Sequence, residues 1–291
     1  PRRRLEEGVV SIYFAGIDLG STMTKIAILD EEDGVLAAVI NHTGAEHRRL
    51  ANRVMEEALA SAGLSINDIT FVMATGYGRI NVPFADKQIT ELSCHARGVA
   101  SFFPGVRLAI DIGGQDAKAL KIRDGKLLDF VMSDKCAAGT GRFLEVIAAA
   151  LGLDVADLGG ISLRATQKVA VSSVCTIFAQ QEVTNHLSDG VPLEDVVAGL
   201  HDAIASRVAR MARRLTVEPD VVFTGGVAKN AGVVQALGES LGLEVLVPEE
   251  PLLTGAIGAA LLGKDATLKA IAGGSTPPTK DRRLEEATFF Q

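Results

Sequence analysis

The stretch Gly16-Ile-Asp-Leu-Gly-Ser-Thr-Met-Thr-Lys-Ile-Ala-Ile-Leu-Asp30 joins two apolar runs through a glycine turn. An Asp33-Gly34 turn then leads to a third run, Val35 to Ile40. Apolar runs of this length bounded by turn residues predict a hairpin followed by a third strand. The pattern returns in Leu108-Ala-Ile-Asp-Ile-Gly-Gly-Gln-Asp-Ala-Lys-Ala-Leu-Lys-Ile122, followed by Asp124-Gly125 and Leu127 to Met132. Ile17-Asp18-Leu19-Gly20 aligns with Ile110-Asp111-Ile112-Gly113, and Lys25 with Lys118, at an offset of 93 (110 − 17 and 118 − 25). The Asp-Gly turns follow at an offset of 91 (124 − 33). A repeat spanning hairpin, turn and following strand predicts an α/β chain of two similar halves.

Outward from the two hairpins, strand signals open at Ser11 and a helix is expected over 46–62, with Leu50, Val54, Ala58 and Leu59 on one face. Thr70 to Thr75 reads as a buried strand ending in Gly76-Tyr77-Gly78-Arg79, and Glu91 to Ser101 as a helix. Further helices are expected at Phe143–Ala150, about Leu193–Leu215 and Thr254–Leu262, with strands at Val169–Ser172 and Leu243–Val247. Asp220-Val-Val-Phe-Thr-Gly-Gly-Val-Ala-Lys-Asn230 reads as strand, diglycine turn and helix start. Gly273 to Thr279 is linker-like, and 280–291 reads as a tail.

Composition narrows the function. A net charge of −7, with Lys and Arg scattered beyond Arg2-Arg3-Arg4, gives no nucleic-acid footprint. No apolar run approaches the roughly 20 residues of a membrane span, and no secretory h-region opens the chain. The first residue is Pro1 rather than Met, which points to a missing or processed N-terminus. Three widely spaced cysteines argue against a disulfide framework and for a reducing cytoplasm.

Two glycine-turn hairpins, each with an aspartate at the end of its first strand, suit a nucleotide polyphosphate. Glycine lets backbone N–H groups approach phosphate oxygens, and such turns form anion-binding concavities. Ser21, Thr22 and Thr24 add hydroxyls, and Asp18 and Asp111 could hold Mg²⁺ through waters. The alternative is a pair of ordinary hairpins, which the diglycine at Gly225-Gly226 makes less fitting. Neither a Walker loop nor a Gly-x-Gly-x-x-Gly follows the first strand.

Cys136 in Ser133-Asp-Lys-Cys-Ala-Ala-Gly-Thr-Gly-Arg-Phe-Leu-Glu145 and Cys175 in Ser172-Ser-Val-Cys-Thr-Ile-Phe-Ala-Gln-Gln-Glu182 each stand ahead of a helical pattern. A helix N-terminus favours thiolate over thiol. A four-thiolate iron–sulfur site needs four such residues, which two copies on a two-fold axis would supply. Two buried core thiols are the open alternative, since no Cys-x-x-Cys is present. Cys94 reads as a buried helical thiol, and His95 beside it as a packing or hydrogen-bonding residue.

Gly16-Ile-Asp-Leu-Gly-Ser-Thr, Ala74-Thr-Gly-Tyr-Gly-Arg, Ile110-Asp-Ile-Gly-Gly-Gln-Asp, Asp134-Lys-Cys-Ala-Ala-Gly-Thr-Gly-Arg-Phe and Thr224-Gly-Gly-Val-Ala-Lys-Asn together resemble the BadF/BadG/BcrA/BcrD ATPase family, from about Tyr13 to Gly263. Its members are activators (component A) of 2-hydroxyacyl-CoA dehydratases and ATPase subunits of benzoyl-CoA reductase. The resemblance implies an α/β fold of the actin/hexokinase/Hsp70 type: two ribonuclease-H-like halves with a nucleotide cleft between them. The first half would take 12–106 plus 252–270, the second 107–251, with a tail over 271–291. It implies phosphate motifs at Asp18–Thr24 (Gly20, Ser21, Thr22, Thr24, with Lys25) and at Asp111–Asp116 (Gly113, Gly114, Gln115). Asp18, Asp111 and Gln115 would be catalytic, and Gly225, Gly226 and Lys229 would form the adenosine motif. Cys136 and Cys175 would ligate one [4Fe–4S] cluster shared by two subunits, alongside ATP/ADP and Mg²⁺.

The implied activity takes one electron from ferredoxin or flavodoxin and delivers it, with ATP hydrolysis, to an acceptor dehydratase or reductase. A 200 mV lift of one electron costs on the order of 5 kcal/mol, so ATP would act through conformation. The partner chain would be a second copy or a related subunit, in the cytoplasm. Lys135 and Arg142 could position a partner or simply sit solvated. The rival readings are a small-molecule kinase of the same fold and a non-catalytic nucleotide switch. Neither gives the helix-leading cysteines a role.

Overall fold

The structure is a computed structural model that describes residues 12–172, 175–274 and 282–284. Three expectations lie wholly or partly outside those residues: the strand start at Ser11, Ser173-Val174 of the second cysteine segment, and most of the tail. The chain divides into two compact units, residues 1–94 with 255–291, and 95–254. The two boundaries fall inside one helix and at the start of another.

The first unit is built on a sheet of five strands: β1 (Tyr13–Leu19), β2 (Met23–Leu29), β3 (Val35–His42), β4 (Ile69–Thr75) and β5 (Lys87–Gln88). Their order is β3-β2-β1-β4-β5. β1–β2–β3 form the antiparallel run that the turns demand, and β4 pairs parallel to β1 on its other edge. A parallel return needs a crossover, and α1 (His47–Ala62) supplies it, burying Leu50, Val54, Ala58 and Leu59. Gly63 stops α1 in the left-handed conformation, φ 68°. β1 is buried along nearly its whole length. At Gly16 a Cβ would stand 2.0 Å from the Ala256 carbonyl oxygen and 2.4 Å from the Ala260 nitrogen, so only glycine admits the helix backbone there.

That helix is α8 (Thr254–Ala272), ten residues longer than the expected end at Leu262. Gly263 does not stop it, because its bare Cα faces the Phe71 ring, which a Cβ would approach to 3.0 Å. Residues 282–284 return to this unit. The buried Arg282 guanidinium donates to the carbonyls of Ile69 and Thr70 and pairs with the buried Asp86, while Leu284 packs against the β1–α1 core.

The second unit repeats the sheet with β6 (Leu108–Ile112), β7 (Ala117–Arg123), β8 (Lys126–Ser133), β9 (Val221–Thr224) and β10 (Val245–Leu246), in the order β10-β9-β6-β7-β8. Its hairpin register matches the first: Asp18 faces Lys25, and Asp111 faces Lys118. The crossover differs. Residues 134–220 carry α3 (Gly141–Leu151), α4 (Asp157–Ser162), α5 (Thr176–Ser188) and α6 (Leu193–Ala212). α6 lies at the centre of that unit's core, with Val197, Leu200, Ile204 and Val208 buried. α7 (Ala231–Leu241), capped by the Asn230 side chain, joins β9 to β10. α2 (Glu91–Phe102) precedes β6. Val169–Ser172 is not a strand. Its Val169 N–H bonds the Asp195 carbonyl, and its backbone lies on Gly199, where a Cβ would come within 2.1 Å of the Val169 oxygen.

Candidate functional site

The first glycine turn closes when Gly20 N–H donates to Met23 C=O, 3.2 Å. Asp18 is buried at the end of β1, and Lys25 Nζ reaches its Oδ2 at 2.9 Å. Ser21 is exposed and Thr22 half-buried on the turn. Thr24 is fully buried, its hydroxyl 2.8 Å from that of Thr43, so it braces the turn rather than lining its open side.

A second piece of chain grips this turn. Gly78 N–H donates to Leu19 C=O at 2.8 Å, and Arg79 Nη1 donates to Gly76 C=O at 3.0 Å. A Cβ on Gly76 (φ 87°) would lie 2.5 Å from both Asp18 Oδ1 and the Leu19 oxygen. Ala74-Thr-Gly-Tyr-Gly-Arg79 therefore backs the Asp18 turn, a role no sequence periodicity announces.

The second turn closes the same way, Gly113 N–H to Asp116 C=O at 2.9 Å. Its aspartate is held more heavily. Asp111 is buried and accepts from Thr224 Oγ1 at 2.9 Å and from Lys118 Nζ at 3.5 Å. Lys118 also lies 2.8 Å from Asp116 Oδ2. His95 Nδ1 stands 3.8 Å from Asp111 Oδ1 and 3.1 Å from Thr254 Oγ1, the buried hydrogen-bonding role its sequence position suggested. Gln115 is exposed at the tip.

The diglycine turn covers this site as Gly76 covers the first. A Cβ on Gly225 (φ 85°) would lie 2.4 Å from the Ile112 oxygen and 3.0 Å from Asp111 Oδ1. Thr75 and Thr224 hold equivalent registers, opposite Asp18 and Asp111. The repeat thus extends to Thr75-Gly76 and Thr224-Gly225, at a spacing the first alignment did not reach because the crossovers differ in length. Lys229 pairs with Glu250 at 2.7 Å beside a shallow, largely apolar depression of about 440 Å³ lined by Leu163, Ala228, Ala231 and Val234.

Both cysteines of interest are free and half-buried. Cys175 is the N-cap of α5, its carbonyl accepting from Ala179 N–H. Cys136 lies five residues ahead of α3 and packs on the unit's core. α3 packs against α5. Ile177 and Phe178, in the first turn of α5 after Cys175, are 74% and 63% exposed. Lys135 is exposed, and Arg142 is exposed and paired with Glu145 at 2.9 Å. Among the described residues, no group of three or more His, Cys, Asp or Glu side chains gathers in ligand geometry. Cys94 is fully buried against Met73 and Ala259, and burial pushes its thiol up to about 12, the inert thiol its position predicted.

Residues 15–263 match the model of the BadF/BadG/BcrA/BcrD ATPase family. The chain is 48% identical over 255 residues to the 2-hydroxyisocaproyl-CoA dehydratase activator of Clostridioides difficile, covering 87% of this chain and 96% of that protein. It is 46% identical over 253 residues to the (R)-2-hydroxyglutaryl-CoA dehydratase activating ATPase of Acidaminococcus fermentans, covering 87% and 97%. A benzoyl-CoA reductase subunit of Thauera aromatica is 31% identical over 261 residues, covering 86% and 92%. The solved structure of the Clostridium difficile activator with bound ADPNP superposes with a TM-score of 0.84 over 90% of this chain and 97% of that one, at 46% identity. A ROK family glucokinase from Streptomyces griseus superposes with a TM-score of 0.52 over 87% and 99%, at 16% identity, a likeness of fold alone. The fold is of the actin/hexokinase type. No helix among the described residues is long and apolar enough to cross a membrane.

Proposed function

The chain belongs to the BadF/BadG/BcrA/BcrD ATPase family, and on that premise we propose that it is an ATP-hydrolysing activator driving a low-potential electron from a ferredoxin or flavodoxin to a dehydratase of the 2-hydroxyacyl-CoA type. The observation that carries this reading is the presence, within one unit, of a phosphate-type turn and two half-buried cysteines, each ahead of one of two helices in contact.

The chain's own residues then divide the work. Gly20–Thr22 and Gly113–Gln115 present backbone N–H groups and hydroxyls to the nucleotide phosphates, as glycine turns do for anions. Asp18 and Asp111, each beside its lysine, would hold Mg²⁺ through its water shell. Gln115, exposed at the turn's tip, orients the attacking water. Gly225, Gly226 and Lys229, with the apolar depression beside them, take the adenosine end.

The cysteine pair suits an iron–sulfur group. Both cysteines are half-buried rather than enclosed in the core, each precedes a helix, and two from each of two copies make the set of four. A [4Fe–4S] cluster bound there supplies a one-electron centre. The exposed Ile177 and Phe178 beside Cys175 favour a second copy or the acceptor enzyme on that face.

The 31% identity to a benzoyl-CoA reductase component keeps a second reading, a heteromer with a related chain. The kinase reading rests on likenesses of about one residue in six and has no role for Cys136 and Cys175. The test is reconstitution with an acceptor dehydratase under anaerobic conditions. Cys136→Ala should bind ATP within about threefold of wild type yet activate nothing. Full activation by that variant would refute the electron-transfer role.

A further inference from the structure

The second phosphate turn is hydrogen-bonded directly to α3, the helix that follows Cys136. The first N–H groups of an α-helix have no partner within the helix. At α3 two of them find one in the turn: Gly141 N–H donates to Gly113 C=O at 2.8 Å and Arg142 N–H to Gly114 C=O at 2.9 Å. In a trans peptide the carbonyl and the following N–H point opposite ways. With the Gly113 and Gly114 carbonyls drawn to α3, the N–H groups of Gly114 and Gln115 face away from it, toward the turn's open side. A phosphate pulling on those N–H groups polarises the same two peptides and strengthens their bonds to α3.

From Gly141 back to Cys136 there is little slack. Thr140 is fully buried, and both its N–H (3.0 Å) and its hydroxyl (2.7 Å) donate to Ala137 C=O, one residue from Cys136. Gly139 (φ 89°) is closed over by Arg207, whose Cδ would be 2.9 Å from a Cβ. Gly141 is wedged in turn: its Cβ would lie 3.2 Å from the Gly113 oxygen, 3.3 Å from Gly114 Cα and 3.5 Å from Val227 Cγ2 of the diglycine segment. Among the described residues, Cys175 shows no such tie: its carbonyl accepts from Ala179 N–H, the Ser172 N–H donates to the Glu182 carboxylate, and neither bond reaches a turn.

We propose that the Gly113–Gly141 and Gly114–Arg142 backbone bonds are the latch through which nucleotide phosphate sets the position of Cys136, with Gly141 as its positioning residue and Cys175 outside its reach. The inference rests on the reading that Gly113–Asp116 takes nucleotide phosphate. It does not require bound iron.

The test follows thiol alkylation by mass spectrometry on the full chain, stripped of iron by a chelator, with and without Mg-ADPNP. Nucleotide binding is measured separately by calorimetry, and buried Cys94 serves as the internal unreactive thiol. ADPNP should change the Cys136 rate by at least about fivefold, the lower end of ordinary coupling between sites, and leave Cys175 within about twofold. Gly141→Ala should bind ADPNP yet cut the Cys136 response below about twofold, while Gly160→Ala, where a Cβ meets nothing within 4 Å, keeps it. Binding without a Cys136 response, or equal responses at both cysteines, would overturn the latch alone. Silence in calorimetry would overturn the parent reading and the latch with it. The wild-type contrast between the cysteines decides even if Gly141→Ala folds poorly.

Discussion

The two units carry the same five-stranded sheet, the same hairpin register and the same glycine set against each aspartate, but hold those aspartates differently. In the first, Asp18 has Lys25, and the space over it is closed by Gly76 and Gly78 of the unit's own next strand-end. In the second, Asp111 has Thr224, His95 and Lys118 about it, and Lys118 also reaches a second carboxylate, Asp116. The crossovers diverge further: residues 43–68 hold one long helix, whereas 134–220 hold four and both free, half-buried cysteines. Duplication of a sheet therefore sets the same glycine turn beside an aspartate twice, while the length of one connection decides where the two cysteines are added. The first unit is a turn on a scaffold; the second is a turn wired into a helix pair.

Breaking the first unit's own clasp should have the largest effect. Arg282→Ala leaves Asp86 buried and the carbonyls of Ile69 and Thr70 without their guanidinium. Loss of one partner of a buried pair costs about 3–5 kcal/mol. Hydrogen exchange should accelerate in β4 and leave its counterpart β9 unchanged. Equal acceleration in both would mean the clasp serves the whole chain.

The two lysines sharpen the contrast between the turns. Lys118→Met removes the lysine from two buried carboxylates and should cost about 3 kcal/mol; Lys25→Met removes it from one, beside a partly accessible turn, and should cost about 1 kcal/mol. Chemical denaturation of the two variants gives the order, and a larger loss for Lys25→Met would reverse the assignment of the heavier network.

A third, smaller effect belongs to the second unit alone. His201 is buried between Ser162 Oγ (2.9 Å) and Asn230 Nδ2 (3.3 Å), and burial pulls it from 6.5 down to about 4. The unfolded chain binds that proton first, so stability is full above about pH 6.5 and falls as pH drops toward 4. Between pH 7 and pH 5 the loss should be about 2 kcal/mol. Unfolding curves of wild type and His201→Gln should differ in that slope; parallel curves would remove His201 from the account.

Much of this contrast is legible before any coordinates. Isolated Asp-Gly and glycine turns between apolar runs are local signals, so both hairpins, the Asp–Lys registers and the core face of α1 follow from spacing. Cys94 follows from its helical setting. Other features depend on partners far along the chain. Gly76 and Gly78 are glycines because Leu19 and Asp18 lie against them, and Gly263 is a close approach rather than a stop. Thr24 carries the hydroxyl of a phosphate ligand but spends it on Thr43. Val169–Ser172 has strand-like residues and no strand to pair with, while the two-residue strands β5 and β10 and the glycine-bearing α4 are too short to show a period. Residues 280–291 read only as a tail; the described part, 282–284, packs on the first unit through Arg282 and Leu284.

The central claim is that Cys136 and Cys175 of two copies hold one shared redox centre. Iron and acid-labile sulfide should be counted on anaerobically purified, reconstituted protein alongside its native mass. The account predicts about four iron and four sulfide for every two chains, lost with either Cys136→Ala or Cys175→Ala. Iron-free protein after reconstitution, or a full complement on a single chain, would contradict it.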